Sequence, residues 1–219
     1  MHILRNQCKN EEVTLPVSDT HDVQFASLLA SRLCHDLVNP AGALSTALDV
    51  LANESDPDML SHAQSLMNES SARLLAVIEF SRLAYGASGG DGHLDTESLR
   101  VVSEKLFGFL KPELQWNLPP STLLKADARV LLNLLLSCER VAPRAGSVVT
   151  IDPAGALFVI TATGKRAGVP DDMAAVFEGS SRTQEPKLMP AQLAQRLAES
   201  TGKCIVVESG EESARLLLA

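Results

Sequence analysis

The sequence predicts an α+β protein with an N-terminal antiparallel helical hairpin and a C-terminal α/β sandwich, in which helices pack on a sheet. Through the first third of the chain, apolar residues recur at alternating spacings of three and four, which is typical of long packed helices. A Gly- and Ser-rich segment follows, and after it helical patterns are mixed with short β-branched runs. Hydrophobic residues make up 45% of the chain and aromatic residues only 4%, so the expected core is aliphatic.

The helical hairpin is predicted over residues 20–87, after a lead-in over residues 1–19. Ser18, Asp19 or Thr20 can cap the first helix, which runs to about Ala52. The segment "ANESDPD" ends it, and Asp56 with the following proline can start a second helix that continues to about Tyr85. The predicted apolar stripes are Ala30, Leu33, Leu37, Ala41, Leu44, Leu48 and Leu51 in the first helix, and Met59, Ala63, Leu66, Ser70, Leu74 and Val77 in the second.

Two long helices with one-sided stripes cannot bury their apolar faces against each other alone. Either they pack on the second half of the chain, or two chains pair to form a four-helix bundle. The alternating spacing favours the bundle, so the sequence predicts a homodimer.

The segment "GASGGDG" (86–92) predicts a flexible linker, and a second domain is predicted over residues 93–219. Its helical patterns are "DTESLRVVSEKLFGFL", "ADARVLLNLLLSCERVA" and "MPAQLAQRLAEST". A short strand is predicted at "ELQWNL", a β-hairpin turning around Asp152–Gly155 at "GSVVTIDPAGALFVITATG", and two strands at "KCIVVES" and "ARLLLA". This mixture predicts helices on one face of a sheet.

Composition excludes several classes of function. A net charge of −8 and a pI of about 5.1 argue against a nucleic-acid-binding surface. The N-terminus has no signal-peptide pattern, and no segment approaches the roughly 20 apolar residues that cross a bilayer, so a cytoplasmic protein without membrane contact is expected. The four cysteines contain no CxxC pair, so neither a disulfide framework nor a zinc site is predicted.

The stretch "LCHDLVNP" (33–40) lies within the first predicted helix and contains an adjacent histidine–aspartate pair and a proline, which helix formation does not need. His35 stands about 200° around the axis from both neighbouring stripe leucines, so it is predicted to point away from the core. Arg32 and Asn39 lie on its face, within side-chain reach. The same face continues with small or apolar residues and is predicted to be a docking surface: Val38, Gly42, Ala43, Thr46 and Val50. No other histidine lies at a helical ligand spacing from His35, so no metal site is predicted.

The motif "HDLVNP" resembles the H-box of bacterial two-component histidine kinases. The resemblance implies that His35 is the phospho-acceptor, that Asp36 orients its imidazole, and that Asn39 is the polar residue one turn on. It also explains Pro40, which bends the helix beside the histidine and frees a carbonyl group. Arg32 is expected either to contact the phosphoryl group or to be a solvated or partner-binding residue.

In such a kinase the second domain would bind ATP, and here three nucleotide-binding elements are lost. Ser137 stands where the kinases place a magnesium-holding asparagine, although Asn133 fits an earlier position of that helix. Residues 161–163 stand where the kinases have an acidic residue in the loop that reaches the adenine. Met189–Pro190 replaces the glycines of the loop that surrounds the phosphates. The expectation is therefore a degenerate ATP-binding-like domain without a cofactor site.

The combination resembles the ChpT-type histidine phosphotransferases over about residues 22–219. It implies a homodimer whose His35 takes a phosphoryl group from the receiver domain of a hybrid histidine kinase and passes it to response regulators of the cell cycle. The receiver is expected to supply Mg²⁺. Three alternatives stay open at this point: a divergent ATP-dependent kinase, a non-catalytic scaffold for receiver domains, and a phosphatase that uses Asn39.

Overall fold

Two long helices form the N-terminal hairpin. In this computed structural model, which describes residues 17–86, 92–180 and 183–219, α1 spans Val17–Asn53 and α2 spans Pro57–Tyr85. The side chain of Asp56 caps α2 by accepting a hydrogen bond from the backbone N–H of Asp58 at 2.9 Å. Most of the predicted lead-in (1–19) and of the predicted linker (86–92) lies outside the described residues.

The hairpin buries only part of its predicted stripes. Ala63, Ser70 and Val77 are buried, whereas Leu48 is 50% exposed and Met59 46%. Pro40 is buried within α1, which continues without a break on both sides of it. None of the described helices is both long and apolar enough to cross a membrane.

The C-terminal half is built on a five-stranded sheet and a separate strand pair. The strands are β1 (His93–Asp95), β2 (Glu113–Trp116), β3 (Thr122–Leu124), β4 (Val148–Ala154), β5 (Leu157–Thr163), β6 (Ile205–Gly210) and β7 (Ser213–Leu218). The five-stranded sheet has the order β2-β4-β5-β7-β6. The pair β2–β4 is parallel and the other neighbours are antiparallel. The separate antiparallel pair, β1 with β3, lies outside this sheet.

In the described part of the C-terminal half, four helices accompany the sheet: α3 (Thr96–Phe107), α4 (Lys125–Val141), α5 (Asp171–Phe177) and α6 (Met189–Ser200), the last preceded by a 3₁₀ turn at Pro186–Leu188. Helix α4 is the centre of the core, because it packs against α6, against the sheet and against α2. Its leucines at 131, 132, 134 and 135 are fully buried. The mixed α+β class predicted from the sequence is therefore confirmed.

One local prediction was wrong, and one helix was not predicted. The β4–β5 turn is the two-residue loop 155–156 and not Asp152–Gly155, because β4 continues through Pro153, which is paired with Phe158. Proline is tolerated there because β2 pairs with β4 only as far as Ile151. Helix α5 is absent from the predicted elements, and the acidic pair 171–172 begins it.

The hairpin is joined to the C-terminal half through α2 and α4. Phe80 and Ala84 of α2 are fully buried in the same core cluster as the α4 leucines. The side chain of Asn133 donates a hydrogen bond to the Ala84 carbonyl at 3.0 Å, and Arg129 donates to the carbonyls of Ala84 and Tyr85 at 3.2 and 3.3 Å. The end of α2 is therefore anchored on α4 by both apolar burial and hydrogen bonds.

Candidate functional site

The imidazole of His35 projects from α1 into solvent, with 72% of its side chain exposed. Its Nδ1 lies 3.3 Å from Oδ1 of Asp36. A carboxylate accepts hydrogen bonds, so this contact is a hydrogen bond when the proton is on Nδ1. The lone pair of a neutral ring is then on Nε2, the nitrogen farther from the backbone.

Asp36 belongs to a chain of charged groups that runs back into the protein. Its Oδ2 accepts from Nε of Arg32 at 2.8 Å, and Nη2 of Arg32 donates to Oε2 of Glu139 on α4 at 3.1 Å. The Arg32 side chain is only 11% exposed. Burial alone would lower the pKa of its guanidinium, but the two carboxylates outweigh burial and raise that pKa above its ordinary value. Arg32 is thus already paired within the chain.

A cleft opens beside this group between the hairpin and the C-terminal half. Its empty volume is about 660 Å³, part of it open solvent. His35, Asp36 and Asn39 line it from α1, so the structure brings the three predicted catalytic residues to one place. The opposite walls come from α2, from the end of α3 and the turn after it, and from α4: Arg73, Val77, Phe80, Ser81, Leu106, Phe109, Leu110, Leu136 and Glu139.

The turn before α6 reaches the other side of His35. Glu185, Pro186 and Lys187 share a second cleft with His35 and Ser31. The ammonium of Lys187 is 2.7 Å from the Glu185 carboxylate and half exposed. The C-terminal domain therefore places a cation, itself paired with an acid, next to the histidine face.

The predicted docking strip is mostly solvent-facing. Val38 is 64% exposed, Gly42 and Thr46 are exposed, and Ala43 and Val50 are partly buried. A Cβ atom added to Gly42 would have no neighbour within 4 Å, so space for an approaching partner is open there.

The residues at the positions where the sequence predicts loss of a nucleotide site lie in the interior. Asn133 is fully buried, and its Nδ2 also donates to the Arg129 carbonyl at 2.8 Å. The hydroxyl of Ser137 donates to the Asn133 carbonyl at 2.9 Å. Met189 and Pro190 are buried in the first turn of α6.

Glu139 is a site residue that the sequence did not reveal. It lies 107 positions after Arg32, on a helix whose own pattern does not indicate which residue meets α1. Tyr85 was missed as well, and its phenol is buried near the same charged groups.

Comparison with known proteins agrees with this architecture. Residues 96–213 match the family model of the histidine phosphotransferase C-terminal domain. The chain is 33% identical over 182 residues to protein phosphotransferase ChpT of Brucella abortus (strain 2308), a match that covers 80% of this chain and 83% of that protein. A solved structure of a bacterial phosphotransferase superposes with a TM-score of 0.79 at 28% identity, covering 94% of this chain and 98% of the other. The chain therefore belongs to the ChpT-type histidine phosphotransferase family.

Proposed function

We propose that this protein is a histidine phosphotransferase of a phosphorelay, in which His35 carries the phosphoryl group between two receiver-domain aspartates. The observation that carries the proposal is the geometry of His35. Its Nδ1 contacts Asp36 while the rest of the ring is in solvent. Membership in the phosphotransferase family supports the same reaction.

In the first step, the Nε2 lone pair of His35 attacks phosphorus of the receiver's aspartyl phosphate. An N–P bond forms, the acyl P–O bond breaks, and the receiver's aspartate leaves as a carboxylate. The Nδ1 proton stays on the ring, where Asp36 stabilises the positive charge that develops. The second step is the reverse reaction, with the carboxylate of a response regulator as the nucleophile.

The receiver is expected to provide the Mg²⁺ that neutralises the transferring group. The chain's own contribution is positioning. Val38, Gly42 and Thr46 give the receiver an exposed face next to His35, continued by Ala43 and Val50, and Asn39 lies in the cleft beside the reacting ring.

The proposal includes transfer without ATP. Supporting it, the amide of Asn133 and the hydroxyl of Ser137 already bind backbone carbonyls inside the core. Proline at the start of α6 removes a backbone N–H that a phosphate-binding loop would use. Calorimetric titration with ATP and Mg²⁺ tests this point, and saturable binding at millimolar or lower concentration would contradict it.

We also propose that the hairpin pairs with a second copy as a four-helix bundle. Leu48, Met59 and Leu66 belong to the predicted stripes and remain 38–50% exposed in one chain. Light scattering after size-exclusion chromatography should give twice the chain mass of 23.4 kDa. A monomer at micromolar concentration would contradict this part of the proposal alone.

The central test is transfer of labelled phosphate from a panel of receiver domains phosphorylated on aspartate. Label should appear on the wild type in a form that survives alkali and is lost in acid, as phosphohistidine is. His35→Gln should take up none. His21→Gln, an exposed histidine of the same helix, is the matched control and should behave as the wild type. Label retained by the His35→Gln variant would refute the proposal.

A further inference from the structure

We propose that Glu139 is a positioning residue for His35. By binding one N–H group of Arg32, it prevents Arg32 from taking both oxygens of Asp36. It thereby leaves Asp36 Oδ1 for the imidazole. The inference deepens the proposed function and rests on it, since the tautomer of His35 matters to transfer only if Nε2 is the acceptor.

The shape of the guanidinium group makes this division possible. Its Nε and Nη2 hydrogens point in the same direction, and one carboxylate can bind both with its two oxygens. Here that edge is divided between two acids, with Nε on Asp36 Oδ2 at 2.8 Å and Nη2 on Glu139 Oε2 at 3.1 Å. Because Asp36 uses only one oxygen for Arg32, its other oxygen remains for His35, 3.3 Å away.

Burial makes the division depend on Glu139. With only 11% of its side chain exposed, Arg32 has little access to water. Without Glu139, Nη2 would lose its acceptor, and an unpaired buried donor is costly. In the described part of the chain, Asp36 is the other carboxylate that Arg32 already contacts, so we expect Arg32 to turn and bind both Asp36 oxygens.

The surroundings favour Glu139 as the anion that completes this arrangement. The Tyr85 phenol is buried beside the three charged groups, and burial raises its pKa, so it stays neutral. Its hydroxyl has no hydrogen-bond partner within the described ranges. Tyr85 therefore adds no competing charge to the cluster.

Glu139 also connects His35 to the C-terminal domain. Helix α4 carries Glu139 on the same element as Arg129 and Asn133, which bind the end of α2. Helix α4 thus contacts the end of α2 and, through Arg32, the acid that contacts His35. The C-terminal domain would then set the state of the histidine through Arg32 and Asp36.

The test is the tautomer of His35, measured by two-bond ¹H–¹⁵N correlations on full-length protein with ¹⁵N-labelled histidine. At about pH 8 a free imidazole is neutral, because its pKa is about 6.5. The His35→Gln variant assigns the signals among the five histidines of the chain. We expect mainly the Nδ1–H form in the wild type and a loss of that form in Glu139→Ala, with Glu139→Gln in between because its amide oxygen still accepts.

A double variant separates positioning from general damage. If Glu139 acts only through Arg32, Glu139→Ala should change nothing further in an Arg32→Ala background. Asp172→Ala is the matched control. It removes the 2.9 Å ion pair with Arg140, which follows Glu139 in α4, and should leave the tautomer of His35 unchanged. Phosphohistidine formation from a phosphorylated receiver should fall about tenfold in Glu139→Ala, the usual scale for loss of an outer orienting group.

Wild-type tautomer ratios in both Glu139 variants would overturn the inference. An undiminished Glu139→Ala effect in the Arg32→Ala background would do the same, because Glu139 would then act by another route. Failure of the proposed function can be told apart from failure of this inference. The former appears as labelled phosphate on the His35→Gln variant, a result that does not depend on the tautomer measurement.

Discussion

Asn133→Asp is expected to destabilise the protein strongly, and increasingly so as the pH rises. Asn133 is fully buried, and its Nδ2 donates to the carbonyls of Ala84 and Arg129. Aspartate has nearly the same shape, so the substitution opens no cavity. It removes the NH₂ group that joins the hairpin to α4 and introduces a carboxyl group that must either stay protonated or be charged in the core.

The magnitude follows from these two effects. The introduced carboxyl group, when protonated, has one O–H donor where the amide had two, which costs about 1 kcal/mol. Staying protonated while the unfolded chain ionises, with a pKa of about 3.9, costs a further 1.4 kcal/mol per pH unit, or about 4 kcal/mol at pH 7. The folded state then holds more protons than the unfolded state. Stability relative to wild type therefore falls as the pH rises above about 4, until the folded-state pKa is reached.

Urea unfolding at several pH values measures this loss. Fluorescence of Trp116, the single tryptophan, reports on the sheet, and circular dichroism reports on the helices. Asn68→Asp on the exposed side of α2 is the matched control and should change stability by less than about 1 kcal/mol with little pH dependence. A stability of the Asn133→Asp variant equal to that of the control at pH 7 would refute the reasoning.

Three further substitutions test other contacts by the same unfolding measurement. Phe80→Ala removes a fully buried ring that α2 contributes to the common core and should cost about 3–5 kcal/mol; under about 1 kcal/mol would mean that the hairpin is not packed there. Lys203→Ala leaves Asp127, 2% exposed, without the ammonium 2.5 Å away and should cost about 3 kcal/mol; a neutral result would mean that the pair does not form. Gly164→Ala would place a Cβ atom 2.8 Å from the Ser147 Cα, at a residue whose φ is +132°, and should lower the free energy of unfolding by at least about 2 kcal/mol. Unchanged stability would contradict that close approach.

The sequence predicts the elements well where one physical signal dominates. Asp56 and Pro57 mark the start of α2 because a capping oxygen and a fixed φ both favour a first helical turn. The β4–β5 turn was misplaced because proline and aspartate next to glycine are usual turn residues. Here β4 stays paired with β5 as far as Ala154.

The site was predictable only along α1, because helical geometry relates residues three or four positions apart. That geometry links Arg32, His35 and Asn39 without any tertiary information. It cannot show that the guanidinium turns inward to Glu139, since that depends on how α4 packs against the hairpin. For α5, which was not predicted, the preceding Pro170 and the two acids in its first turn are a usable signal of a helix start.

Pro40 has a mechanical consequence for α1. Before it, the helix is tied to the C-terminal domain by Arg32 and by Arg196, which stacks on Phe25 at 4.1 Å and pairs with Asp22. After it, α1 runs beside α2. The missing N–H of Pro40 weakens the helix between these two stretches, so bending should concentrate one turn beyond His35. The distal part of the hairpin can then flex while the imidazole keeps its place.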